Sequence, residues 1–387
     1  MRDAVIVQAV RTAVGKRNGG LAGAHAASLS ADVLRGLATR SDLDPALVDD
    51  VLWGCVGQVG MQAGCLGRAA VLAAGWPESV PGTTVDRQCG SSQQAVHLAA
   101  ASVISGQSDV VVAGGVEIMS RVPLGAARSN PDFGEPYGPD VWARYPQRFN
   151  QGIGAELIAE EYGLTRTELD QHALDSHARA AAAQDDGLFE EEILPVTVLD
   201  QAGTPTVHAR DEGVRRGSTL ETLAALRPAY RPDGLIHAGN SSQISDGAAA
   251  LLITTSEVAA REGWRPMARI HTSVVVGCDP VTMLKGPIPA TAKALSRAGL
   301  ALEDIDLFEI NEAFASVSLA WHRETGADYS KLNPLGGAMA MGHPVGGSGA
   351  RIMTTLVHHL RRGGARWGLQ SMCEGGGMAN ATILEAM

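Results

Sequence analysis

At 387 residues the chain exceeds what a single hydrophobic core ordinarily supports, so two or three domains are expected. Its 42 acidic against 31 basic residues, a formal charge of −11, exclude the broad basic face that nucleic acid requires, although a few local arginines can still hold a phosphate. Five cysteines, at positions 55, 65, 89, 278 and 373, cannot all pair and contain no CxxC, which argues for a reducing compartment and against structural zinc.

The opening MRDAVIVQAVRTAVGKR has too short an apolar stretch before Arg11 for a signal-peptide core and reads as a strand. No apolar run approaches the ~20 residues of a membrane span, so a soluble, cytoplasmic protein is expected. Residues 31–56 read as a helix, a polar turn and an apolar strand. Cys89 stands before the helical GSSQQAVHLAAASVISG, which feeds a strand, DVVVAGG, at 109–115. Proline, glycine and charge then break the pattern over residues 121–246, ahead of and around a helical TRTELDQHALDSHARAAAAQDD. Such an insertion suits a lid or a ligand-binding surface. From Gly247 a strand and helix complete the first half. The second half repeats the order: a strand at 268–276, helix and strand within 290–314, a helix over 346–364 and a strand at 367–373. A duplicated α/β unit is the economical reading, with residues 1–120 plus 247–267 as one half, 268–387 as the other, and 121–246 as an inserted loop or lid domain.

Four segments place reactive side chains among small residues. Cys89 precedes a helix, whose dipole and free amides lower a thiol's pKa, yet an unplaced cysteine is more often a small buried packing residue, and here the surrounding sequence reverses that preference. His343 in GGAMAMGHPVGGSGAR is flanked by glycines that leave its imidazole approachable; a core histidine satisfied by backbone is the alternative. Asn311 and Glu312 in NEAFA lie where an apolar strand gives way to a helix, as a site group or as a helix cap. Cys373 ends a strand and is followed by Gly375, Gly376 and Gly377, whose amides can face an oxyanion or simply turn the chain.

Together these segments resemble the thiolase family across essentially the whole chain. The opening VIVQAVRTAVGKRNGGLAG, the cysteine segment, AGNSSQISDGAAALL, GPIPAT, EINEAFAS, NPLGGAMAMGHPVGGSGAR and CEGGGMANA all stand in family order. The resemblance implies a layered α/β sandwich of two βαβαβ-type halves with an inserted loop domain. It implies Cys89 as the nucleophile, His343 as the base that activates it and Cys373 as a second acid/base. The amides of Cys89 and Gly375 then hold one oxyanion, while His343 and a water on Asn311 hold the other. Coenzyme A enters as substrate, not as a tightly bound cofactor, against Arg215 (matched through DEGVRRG), Ala238, Ser242 and Phe314. A homodimer or homotetramer is part of the same resemblance.

The departures bear on substrate. Ser92 replaces a usual glycine, Glu374 a usual apolar residue and Ala379 a glycine, while the His-Met pair of short-chain biosynthetic thiolases falls at Gln151 and Gly152. Losing two pocket-filling side chains makes room for a longer or bulkier acyl group, which favours a degradative 3-ketoacyl-CoA thiolase over a biosynthetic acetoacetyl-CoA thiolase. A ketosynthase is disfavoured because that related class replaces the second cysteine with histidine; a non-catalytic acyl-CoA or lipid-binding relative would have little use for the four reactive residues. Cys55, Cys65 and Cys278 read as packing, and His358 and His359 lack a partner at metal-ligand spacing, so neither metal nor redox cofactor is implied.

Overall fold

The computed structural model describes residues 2–199 and 203–387. Its first half runs β1 (Val5–Thr12), α1 (Ala26–Ser41), β2 (Asp50–Gly54), α2 (Leu66–Ala74), β3 (Thr83–Val85), α3 (Ser91–Ser105) and β4 (Val110–Ile118). After an inserted region containing α4 (Gln151–Glu161) and α5 (Arg166–Asp185), β5 (Ser245–Thr254) closes this half. The second half runs β6 (Ala268–Gly277), α6 (Pro287–Ala298), β7 (Leu307–Ile310), α7 (Ala315–Thr325), α8 (Ser348–Gly363), β8 (Trp367–Glu374) and β9 (Met378–Ala386).

The strands order as β7-β8-β9-β6-β1-β5-β4-β2-β3. In the first half β3, β2 and β4 are parallel, and β5 runs antiparallel between β4 and β1. In the second, β7 and β8 are parallel, and β9 runs antiparallel between β8 and β6. The two wings therefore share one topology, and their sheets join where Val5 and Ile6 pair with Arg269 and Ala268.

β4 and β5 are runs of apolar and small residues, interrupted only by Glu117 and Asp246 near one end of each, and are buried along their whole length, the pattern of strands covered on both faces. One cover is the outer layer of α1 and α2. The other is a central layer built by α3 and α8, whose Ala95, Val96, Ala99 and Val103 share a core with Ala350, Met353 and Leu356. This layer bridges the wings, since Gln93 and His97 of α3 both reach Thr382 Oγ1 on β9, at 2.7 Å each. A third apolar cluster packs α6 and Trp321 of α7 against the outer face of the second wing. The inserted region occupies the connection β4–β5, whose counterpart β8–β9 is only the glycine turn 375–377. It is docked rather than free: Arg11 at the end of β1 bonds Glu192 (2.5 Å) and Asp211 (2.7 Å), with all three side chains buried, and Ile193–Leu194 pairs with β1.

Candidate active site

The equivalent helices α3 and α8 are entered by the two loops that carry Cys89 and His343, so the duplication itself brings these residues together. The cysteine loop is tightly lashed. Asp86 Oδ1 accepts from Gln88 N at 2.8 Å, and Ser91 Oγ accepts from Arg87 N at 2.9 Å while donating to Gln88 O at 2.5 Å. These bonds hold Gln88 at φ +49, a conformation costly for a non-glycine residue and found where backbone is over-determined. Cys89 lies one residue before the N-cap Gly90 and is 7% exposed. The expected lowering of its pKa is not what its surroundings produce. Burial pushes the thiol up to about 12, Glu374 adds to the rise, and only its own amide pulls clearly the other way. Desolvation thus outweighs the helix terminus, so a thiolate needs a base at hand. Ser92 joins the two helices, its Oγ accepting from Ala350 N at 2.9 Å and so tying α3 to α8.

His343 is buried and faces three fixed groups. Its amide donates to Gln243 O at 3.1 Å. Its Nδ1 is 2.6 Å from Ser348 Oγ, and Nε2 is 3.4 Å from Asn311 Nδ2. Ser348 Oγ also lies 2.9 Å from Pro344 O, which can only accept. The serine proton satisfies that carbonyl, so its oxygen accepts Nδ1–H and leaves the Nε2 lone pair toward Asn311's amide donor. Burial, with Arg351 adding, pushes the imidazole down to about 3, so it is neutral and able to take a proton.

Asn311 follows β7, and its amide bonds Ser371 O at 3.0 Å. It is not a helix cap, because α7 begins at Ala315 with Phe314 in the cap position. Its side chain also faces Cys373, whose pKa is raised first by burial and then by Cys89. Cys89, His343, Asn311 and Cys373 therefore converge on one buried point. Glu312 supports them from below, accepting from Ser176 Oγ (2.7 Å), Asn333 Nδ2 (3.1 Å) and Met339 N (3.1 Å). Gly375 opens the turn after Cys373, and Gly376 and Gly377 need glycine at φ +83 and +77.

Ser242 and Phe314 come together, for Ser242 N donates to Ala313 O at 2.9 Å and Ser241 bridges Phe314, while Ala238 is exposed and opens the short turn Ala238–Asn240 just before them. Arg215 is exposed, with its amide on His177 Nδ1 at 3.0 Å. Gln243 joins these parts: Nε2 reaches Gly213 O (2.9 Å) and Met339 O (2.7 Å), while its own carbonyl holds His343. Neither Gln243 nor Ser348 carried a sequence signal beyond lying inside the AGNSSQISDGAAALL and GHPVGGSGAR segments.

Two expectations need correction. The room vacated at Gly152 is taken by Tyr230, whose ring a methyl group at 152 would strike and which stacks edge-on against Phe314 at 5.9 Å. Cys65 is not packing: it is exposed at φ +59, ahead of α2, with its thiol 3.2 Å from Gly82 O.

A cysteine, a neutral histidine with an unprotonated Nε2 and a second cysteine, buried between duplicated α/β halves, form a set of groups suited to acyl transfer through a thioester. The family description "Thiolase, N-terminal domain" matches residues 4–257 and "Thiolase, C-terminal domain" residues 264–386. The chain is 50% identical to the steroid 3-ketoacyl-CoA thiolase FadA6 of Mycobacterium tuberculosis, over 100% of this chain and 95% of that protein. It is 42% identical to an acetyl-CoA acetyltransferase of Cupriavidus necator, over the full length of both. Among solved structures, the acetyl-CoA acetyltransferase of Bacillus anthracis superposes with a TM-score of 0.92 at 40% identity, covering 100% of this chain and 99% of that one. The chain belongs to the thiolase family. It is an acyltransferase that cleaves and forms carbon–carbon bonds in acyl-coenzyme A thioesters. Among the described residues no helix is long and apolar enough to cross a membrane.

Proposed function

We propose that this enzyme runs thiolysis of 3-ketoacyl-coenzyme A through an acyl-Cys89 intermediate, and the convergence of Cys89, His343, Asn311 and Cys373 carries the reading. His343 Nε2 takes the Cys89 proton, and the thiolate attacks the 3-keto carbon. The amides of Cys89 and Gly375 receive the oxyanion. Collapse breaks the carbon–carbon bond and expels a thioester enolate, which His343 and a water on Asn311 stabilise and Cys373 protonates at carbon. After acetyl-CoA, or propionyl-CoA from a branched substrate, departs, a second coenzyme A thiol gives its proton to the Cys373 thiolate and attacks acyl-Cys89; the thioester bond to Cys89 breaks, and its sulfur takes back the proton held on His343. The same groups run the condensation in reverse.

Coenzyme A lies across the inserted region 121–246, with its nucleotide toward Arg215 and its pantetheine past Ala238, Ser242 and Phe314. The tie of Gln243 to both Gly213 and His343 supports this, since it fixes the cofactor-side loops relative to the base. The degradative direction on acyl groups larger than acetyl is favoured by the 50% identity to a steroid 3-ketoacyl-CoA thiolase, now that Tyr230 fills the space at Gly152. A cytoplasmic homodimer or homotetramer belongs to the same proposal. Thiolytic turnover across 3-ketoacyl-CoAs of graded size, with Cys89→Ala as blank, is the test. Equal or better kcat/KM on acetoacetyl-CoA than on every longer substrate would sink the degradative reading.

A further inference from the structure

Glu374 takes no part in the steps above, yet it stands at the end of β8 beside Cys373 with 0% exposure. Neither carboxyl oxygen has a hydrogen-bond partner among the described residues. A methyl group on Gly90 would collide with Oε1 and lie 2.7 Å from Asn380 Nδ2, so the carboxyl rests against the residue that follows Cys89. Asn380 does not relieve it: its Nδ2 donates to Gly90 O at 3.0 Å and makes no hydrogen bond to the carboxyl. Nor does Arg87 form an ion pair with it: Nη1 contacts Met378 Sδ at 3.8 Å and Nε has no partner among the described residues.

A carboxylate so enclosed lacks both water and donors, which strongly favours the protonated form. Burial pushes Glu374 up to about 8, with Arg87 only partly offsetting it. After burial, Glu374 is the largest influence holding Cys89 as a thiol. The other titratable or charged groups facing this pair are Asp86 and Arg87 on the cysteine loop, Cys373 on β8, Cys278 after β6 and Glu117 on β4. His343, neutral in the resting site, completes the set.

We propose that Glu374 is a positioning residue acting by charge: a buried acid beside Cys89 that permits the thiolate while neutral and opposes it once ionised. The inference rests on Cys89 being the nucleophile. When Glu374 releases its proton to solvent, a fixed negative charge remains beside the sulfur, and proton transfer from Cys89 to His343 becomes harder. Nucleophile reactivity then rises less with pH than a lone thiol's would.

The test is the pH dependence of Cys89 alkylation by iodoacetamide, read by mass mapping in the wild type and in Glu374→Gln, which keeps shape but cannot ionise. In the wild type the slope of log rate against pH is expected to dip as Glu374 ionises and then recover. Glu374→Gln should keep an even slope and react about tenfold faster above the dip, the effect of one pKa unit. Superimposable profiles overturn the proposal, as does a wild-type curve fitted by one ionisation, which needs no variant to fold. If instead acetyl-CoA fails to protect Cys89, the assignment of the nucleophile itself falls, a separate outcome.

Discussion

Replacing Ser348 with alanine removes one oxygen and tests the role proposed for His343 as the base. In the wild type Ser348 Oγ accepts from Nδ1–H at 2.6 Å and donates its own hydrogen bond to Pro344 O at 2.9 Å, which leaves Nε2 unprotonated. Without that oxygen the Nδ1–H is buried and unpaired, a loss of ~1–3 kcal/mol. The tautomer protonated at Nε2 then competes, and it cannot accept the Cys89 proton. At about 1.4 kcal/mol per decade, kcat/KM for thiolysis should fall ~10- to 100-fold. The iodoacetamide reactivity of Cys89 should fall in parallel, because both depend on the same proton transfer, while thermal unfolding checks that the fold survives. A folded Ser348→Ala enzyme within twofold of wild type in both assays would refute the tautomer argument.

Other perturbations separate the remaining parts. Cys373→Ala should lower thiolysis and condensation by ~10²- to 10⁴-fold while acetyl transfer from acetyl-CoA to Cys89 persists, measured by acetyl-enzyme mass. Tyr230→Ala should raise the ratio of kcat/KM for long over short 3-ketoacyl-CoAs, since its ring fills the space above Gly152; an unchanged ratio removes Tyr230 from the acyl pocket. Glu374→Gln should also stabilise the protein at alkaline pH. A folded pKa of about 8 against an ordinary 4.5 means the unfolded chain gives up its proton first, so stability falls as pH rises from about 4.5 to 8. The variant escapes a loss on the order of 3–5 kcal/mol, so its melting point should exceed wild type by several degrees at pH 8 and the gap should close toward pH 4.5.

The duplicated halves were legible because each element has its own local signal: a period, a cap or a glycine stop such as Gly106 at φ +79 after α3. The convergence of Cys89, His343, Asn311 and Cys373 was legible only through family order, since no spacing reveals that two loops so distant along the chain enter neighbouring helices. What the sequence hid was environment. Cys89 before a helix suggested a lowered pKa, but burial is a property of the packed wings and reversed the sign. Gly152 suggested open space, but a ring from residue 230 closes it. Ser348 and Gln243 were invisible because their roles depend on which atoms they face.

The central layer also determines how the enzyme fails. Cys89 enters from one wing and His343 from the other, and their separation is set by α3 and α8 lying side by side, by Ser92 on Ala350 and by Gln93 and His97 on Thr382. Slight parting of the wings, with every strand still paired, would separate the proposed nucleophile from its proposed base. Heat inactivation should therefore precede loss of secondary structure, and either half alone, however well formed, holds only part of a reaction.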